Sequence, residues 1–147
     1  MRSTWGKTPR RSVEEECARR GKHAVVAGCV ALLNGDHADP ELIVALGGPP
    51  ARWALTGAPA GPDYWLRVWA ARGLLWAWDD AALPALLAAL DDEAWRVREA
   101  ALRAVARHRL TGAATKTAAL EDDAVPRVRT AAGRASAALA AGSSDKV

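Results

Sequence analysis

Apolar positions along this chain recur at helical spacing, and one arrangement of them returns at a fixed interval. Leu66-Arg67-x-x-Ala70-Ala71-Arg72 is followed by Val97-Arg98-x-x-Ala101-Leu102-Arg103 and then by Val128-Arg129-x-x-Ala132-Gly133-Arg134, a step of 31 residues taken twice without slippage. A constant period of this size marks stacked copies of one supersecondary unit, because no single copy can bury its apolar face alone. The pattern predicts helices over Tyr64 to Trp78, Leu83 to Leu90, Trp95 to about His108, Ala113 to Leu120 and Pro126 to Ala140. The breaks between them fall at Asp79-Asp80, Asp91-Asp92-Glu93, Thr111-Gly112 and Glu121-Asp122-Asp123.

Upstream the period fades and the helix punctuation continues. Ser12, followed by Val13 and three glutamates, predicts an N-cap and a first helix ending at Gly21; a second runs from about His23 to Leu33 and stops at Asn34-Gly35. This hairpin, residues 12–34, diverges from the later copies as a terminal cap of a stack would. Asp39-Pro40 opens a third helix, with Asp as cap and Pro in the first turn, which Gly47-Gly48-Pro49-Pro50 breaks. The stretch from Gly47 to Pro62 is longer than an ordinary link between paired helices and holds Trp53. The expected organisation is a basic flexible arm over 1–11, a repeat domain over 12–141 (12–34, 39–78, 81–109, 112–140) and a tail over 142–147. With strand alternation missing, the fold class is all-α, an α-solenoid of about four antiparallel helix hairpins.

Composition narrows the function classes. At 147 residues the chain supports one domain. The net charge of +3 is an N-terminal matter, since residues 1–24 carry seven Lys/Arg against three Glu while residues 25–90 carry three against six acids. An Arg-rich arm can touch nucleic acid or an acidic protein, and more often it is simply solvated. Two cysteines, Cys17 and Cys29, fit a reduced cytoplasmic chain without a disulfide framework. The ten-residue apolar run Ala24 to Leu33 is too short to span a bilayer and follows three glutamates, so neither a membrane span nor a signal peptide is expected.

The paired helices, the acidic turn and the Val-Arg-x-x-Ala opening of the second helix resemble HEAT repeats, well over about residues 39 to 141 and only by helix pairing over 12–34. The resemblance implies a solenoid with an outer and an inner helix row that scaffolds or binds proteins along its curved surface. It also implies a structural Asp–Arg ladder between neighbouring units, placed here on Asp92, Arg98, Asp123 and Arg129, each acid six residues before its arginine. The Arg67 copy departs from this pattern, because Gly61 stands six residues back and the nearest acid is Asp63.

A second arginine series, Arg72, Arg103 and Arg134, shares the 31-residue step and lies five residues after the first, well round the helix. It is either a solvated face or a basic stripe on the inner row. Trp65, Trp69 and Trp76 fall within about 40 degrees of one another on an ideal helix. They either fill the volume between repeats or, as Trp69 and Trp76 with Arg72 and with Trp53 from the insertion, edge an aromatic and basic binding surface. The binding candidates are therefore Arg72, Arg103, Arg134, Trp69, Trp76 and Trp53.

Catalytic signatures are missing: the chain has no Gly-rich phosphate loop, H-E-x-x-H, paired C-x-x-C or G-x-S-x-G. His23, His37 and His108 lie on separate elements, and Asp36-His37-x-Asp39 has little claim to a metal. The expectation is a non-enzymatic scaffold for a protein partner, with no cofactor and no metal. The alternative is a HEAT-like DNA-binding protein related to the alkylpurine glycosylases, which Trp76, Trp78, Asp79 and Asp80 suit by residue type alone.

Overall fold

A computed structural model describes residues 6–36, 39–52 and 64–144, with side chains described as far as residue 141. The described residues form eight α-helices: α1 Pro9–Arg20, α2 Lys22–Leu33, α3 Pro40–Gly47, α4 Tyr64–Gly73, α5 Leu83–Ala89, α6 Trp95–His108, α7 Ala114–Leu120 and α8 Pro126–Ser144. Single 3-10 turns at Pro49–Ala51, Asp80–Ala82 and Thr111–Ala113 complete the set, and no strand occurs among the described residues. The architecture is an all-α solenoid of stacked helix pairs.

Helix starts follow local chemistry. Thr8 caps α1 by accepting the Arg11 amide at 3.1 Å, with Pro9 in the first turn, the same cap-proline grammar as Asp39-Pro40, where Asp39 accepts from Leu42 N. The helix therefore begins earlier than the Ser12 cap predicts, and residues 9–11 of the expected arm are helical. Ser12 is instead buried within α1, its hydroxyl donating to Ala45 O of α3 at 2.6 Å. The basic residues here are engaged along the helix, Arg10 with Glu14, Arg11 with Glu15, and Lys7 with Glu15 at 2.7 Å.

Two other boundaries differ from expectation. α4 stops at Gly73 rather than Trp78: the amides of Leu75 and Trp76 turn back onto Arg72 O and Gly73 O, so Trp76 and Trp78 leave the helix and the angular argument for a stripe stops applying to Trp76. α8 runs on to Ser144, through the start of the expected tail.

The periodic residues form the core. Leu66, Val97 and Val128 are buried, as are Ala70, Ala101 and Ala132. The small series lets α4, α6 and α8 lie side by side, while α5 packs on α6 and α7 on α8. The first half breaks the simple hairpin order. α2 is apolar on nearly every face and is sandwiched by α1, α4 and α5, whereas α3, its sequence neighbour, packs on α1 and α4. It is thus α2 rather than α3 that lies against α5. Close approach here depends on glycine: a Cβ on Gly28 would collide with Leu42 Cδ2, and one on Gly47 would stand 2.7 Å from the Trp69 ring.

An arginine–aspartate series links successive units. Arg67 holds Asp92 in a fork, Nε to Oδ2 at 2.7 Å and Nη2 to Oδ1 at 3.2 Å. Arg98 holds Asp123 through Nη2 to Oδ2 at 3.2 Å; its Nε lies 3.0 Å from Oδ1 but is not aimed at it, so that contact is an ion pair without a hydrogen bond. Each aspartate also caps the turn before a helix, Asp92 accepting from Ala94 N and Asp123 from Val125 N, both at 2.9 Å. Arg98 and Arg129 repeat one backbone contact, Nη1 donating to Asp92 O and to Asp123 O, each at 2.7 Å. The series therefore includes Arg67, although no acid precedes it at the expected spacing, because its partner comes from the following unit.

Candidate binding groove

The second helices of the repeats, α4, α6 and α8, present a common outward stripe opposite the ladder. Its members belong to four 31-residue series: Trp65/Arg96/Arg127, Val68/Glu99/Thr130, Arg72/Arg103/Arg134 and Trp76/Arg107/Ala138. Helical geometry puts residues at offsets of three, seven and eleven on one face of α6 and α8, so the repeat that builds the core builds this stripe as well; in the first unit Trp76 comes to it from the turn after α4.

Between α6 and α8 the stripe opens into a groove of about 660 Å³. Its floor is apolar, made by Leu75, Trp76, Leu102, Ala106, Pro126 and Ala131, and its walls carry Arg103, Arg107, Arg127 and Arg134 against one acid, Glu99. A smaller depression of about 210 Å³ adjoins it and runs past Trp65, Val68, Arg72, Trp95 and Arg96. Leu75, Glu99, Arg103 and Arg127 line both, so the two form one surface.

Each guanidinium stands differently. Glu99 is held by Arg127 at 3.0 Å, with Arg103 3.9 Å away, too far for a hydrogen bond. Arg127 and Arg96 also lie over the Trp95 ring, at 5.3 and 4.4 Å, and Arg96 reaches the Trp65 ring at 5.5 Å. These contacts make a cation–π row from α4 to α8. Arg107 is anchored by its Nε, which donates to Leu75 O at 2.6 Å, so its outer edge faces solvent. Beside it the His108 ring stacks on Trp78 and meets Leu74 O through Nε2 at 2.7 Å; burial holds its pKa below the usual imidazole value. Arg134 is exposed and has no ion-pair partner among the described residues.

The sequence candidates divide accordingly. Arg103, Arg134 and Trp76 line the groove together. Arg72 is half-buried, its Nη2 donates to Leu46 O at 2.7 Å, and desolvation pushes its pKa down, so it ties α4 to α3. Trp69 is only 8% exposed, packed over Gly47, and belongs to the core; Trp65, one turn earlier, is the exposed ring at 36%. Both indoles share a face by spacing, but α3 covers one of them. Trp53 lies outside the described residues. Arg96, Arg107 and Arg127 escaped the sequence argument, which followed the arginine-only series; a search for any residue type at the 31-residue step finds them through Trp65 and Trp76.

No group of three His, Cys, Asp or Glu side chains among the described residues could hold a metal ion. The nearest approach to a charged relay is His23 Nδ1 with Asp79 Oδ2 at 3.0 Å on an exposed edge. No helix of the described residues is long and apolar enough to cross a membrane.

No curated protein and no solved structure matches the chain. A family model, that of HEAT repeats, matches residues 52–138, which take in α4 to most of α8 and so the whole ladder and groove. The match covers more than half of the chain and falls on the part where the 31-residue period, the stacked second helices and the Arg–Asp series coincide, so the chain belongs to the HEAT-repeat family.

Proposed function

We propose that this chain is a non-enzymatic HEAT-repeat scaffold that binds a protein partner through the groove along its second helices, the concave row of the solenoid. HEAT repeats typically serve as protein-interaction scaffolds and are generally non-catalytic. The observation that carries the reading is the groove itself, where an apolar floor with Trp76 is walled by four arginines. Arginine and tryptophan are the residue types over-represented among side chains that dominate binding energy, and a floor of this kind gives a partner side chain a place to be desolvated. Both cysteines are thiols, which suits the cytoplasm as the working compartment.

The same guanidiniums favour a second reading, binding of duplex DNA. Glu99 in the middle of the row and a net charge of only +3 weigh against it, because phosphate contacts supply most non-specific affinity. Affinity capture with the wild type and with Trp76→Ala/Arg103→Glu decides between them when run beside duplex titrations at low salt. The protein reading expects a partner retained by the wild type and lost by the variant. An identical set of captured proteins with both, or tight duplex binding that falls steeply with salt, overturns it.

A further inference from the structure

We infer that the groove takes an acidic peptide segment carrying one large apolar side chain, which seats on Leu75, Trp76 and Ala106 while flanking carboxylates meet Arg103, Arg107 and Arg134. This inference rests on the protein-binding reading and narrows its partner.

Charge and shape argue for it separately. Of the four wall arginines, Arg127 is already neutralised by Glu99 at 3.0 Å and covered on one face by Trp95. Arg103, with a side chain 59% exposed, has only a distant claim on the same carboxylate, and Arg134 has none. Arg107 is fixed by its Nε bond to Leu75 O, which leaves the terminal amino groups as a held fork at the rim. A planar fork that is already oriented loses less entropy on meeting a carboxylate. Three unneutralised cations thus surround one groove, and the complementary ligand is anionic at several points.

The floor distinguishes the kind of anion. A phosphate backbone asks for a cationic track and gains nothing from Leu75, Trp76, Ala106 and Ala131, and Glu99 would repel it. A peptide uses both parts: an apolar side chain covers the floor, and carboxylates on either side reach the rim. The volume of about 660 Å³ accommodates a large side chain with adjoining backbone.

The test uses the full chain and fluorescein-labelled short peptides built of Asp, Glu and Ser, with Leu, Ile, Phe or Trp at one position, read by anisotropy at low and physiological salt. Binding is expected for at least one apolar residue, weakening about tenfold when that residue becomes Ser and by tenfold or more in Arg103→Glu/Arg134→Glu. Arg129→Glu, a charge reversal outside the groove, is expected to bind like the wild type; circular dichroism checks that all variants are folded. Absence of binding by every peptide, binding that ignores the apolar residue, equal loss in Arg129→Glu, or displacement of peptide by a duplex oligonucleotide overturns the inference. If a partner captured by the wild type cross-links to the groove through a neutral or basic segment, this inference fails while the scaffold reading stands; if capture is unchanged by Trp76→Ala/Arg103→Glu, both fail.

Discussion

Replacing Asp123 by Ala removes the rung between the last two repeats, and its cost can be worked from the contacts. The Arg98 and Asp123 side chains are only 15% and 9% exposed, so deleting the carboxylate leaves a largely desolvated guanidinium without its counter-charge. Breaking a buried pair from one side costs about 3–5 kcal/mol. Arg98 keeps two carbonyl acceptors, Asp92 O and Glu93 O, which places this case near the lower end. The lost cap to Val125 N adds about 1 kcal/mol. A total of about 4 kcal/mol is a large share of the roughly 5–15 kcal/mol that holds a domain folded. In urea unfolding, with a slope of about 2–3 kcal/mol per molar, the midpoint should drop by about 1–2 M. A cycle with Arg98→Ala should show coupling above about 1 kcal/mol, whereas Arg127→Ala, which breaks a pair whose arginine is 63% exposed, should cost under about 1 kcal/mol. A loss below about 1 kcal/mol for Asp123→Ala, with no coupling to Arg98, would refute the account of the series as a load shared between units.

Acid should act through the same aspartates. Burial pushes the Asp123 carboxyl up, but the Val125 amide and the Arg98 guanidinium outweigh it and hold the group below the usual carboxylate range; at Asp39 the Leu42 amide and Arg20 do the same. Groups depressed in the folded state stabilise it above their unfolded pKa of about 4 and lose that contribution as pH falls through the folded value. Urea midpoints should therefore hold near neutrality and fall on acidification below about pH 4, with a shallower fall in Asp123→Asn; an unchanged slope would count against it. Gly47→Ala should destabilise by about 1–3 kcal/mol, since the new methyl stands 2.7 Å from both Ala51 Cβ and the Trp69 ring, while Gly133→Ala, with nothing within 4 Å, should stabilise by about 0.5–1 kcal/mol in thermal melts. Cys29 is fully buried, and desolvation raises its pKa to about 12, so it should resist thiol reagents until the chain opens, with Cys17 reacting first.

The 31-residue step was enough to establish stacked helix pairs, because repeated burial of Leu66, Val97 and Val128 and close contact through Ala70, Ala101 and Ala132 depend on periodicity along one helix, which the chain displays directly. Local caps were legible where one residue type has one use, as at Asp39-Pro40, and misleading at Ser12, where the hydroxyl is claimed by Ala45 O on a distant helix. What only the tertiary structure decided is which members of a shared face meet solvent. Trp65 and Trp69 are equivalent by spacing, yet α3 and the bare backbone of Gly47 enclose one and leave the other exposed; Arg72 and Arg103 occupy the same repeat position, yet only Arg72 has a free carbonyl, Leu46 O, within reach. Periodicity assigns a side chain to a face, and the neighbour packed against that face, which follows from chain topology rather than from spacing, determines whether it becomes core or groove.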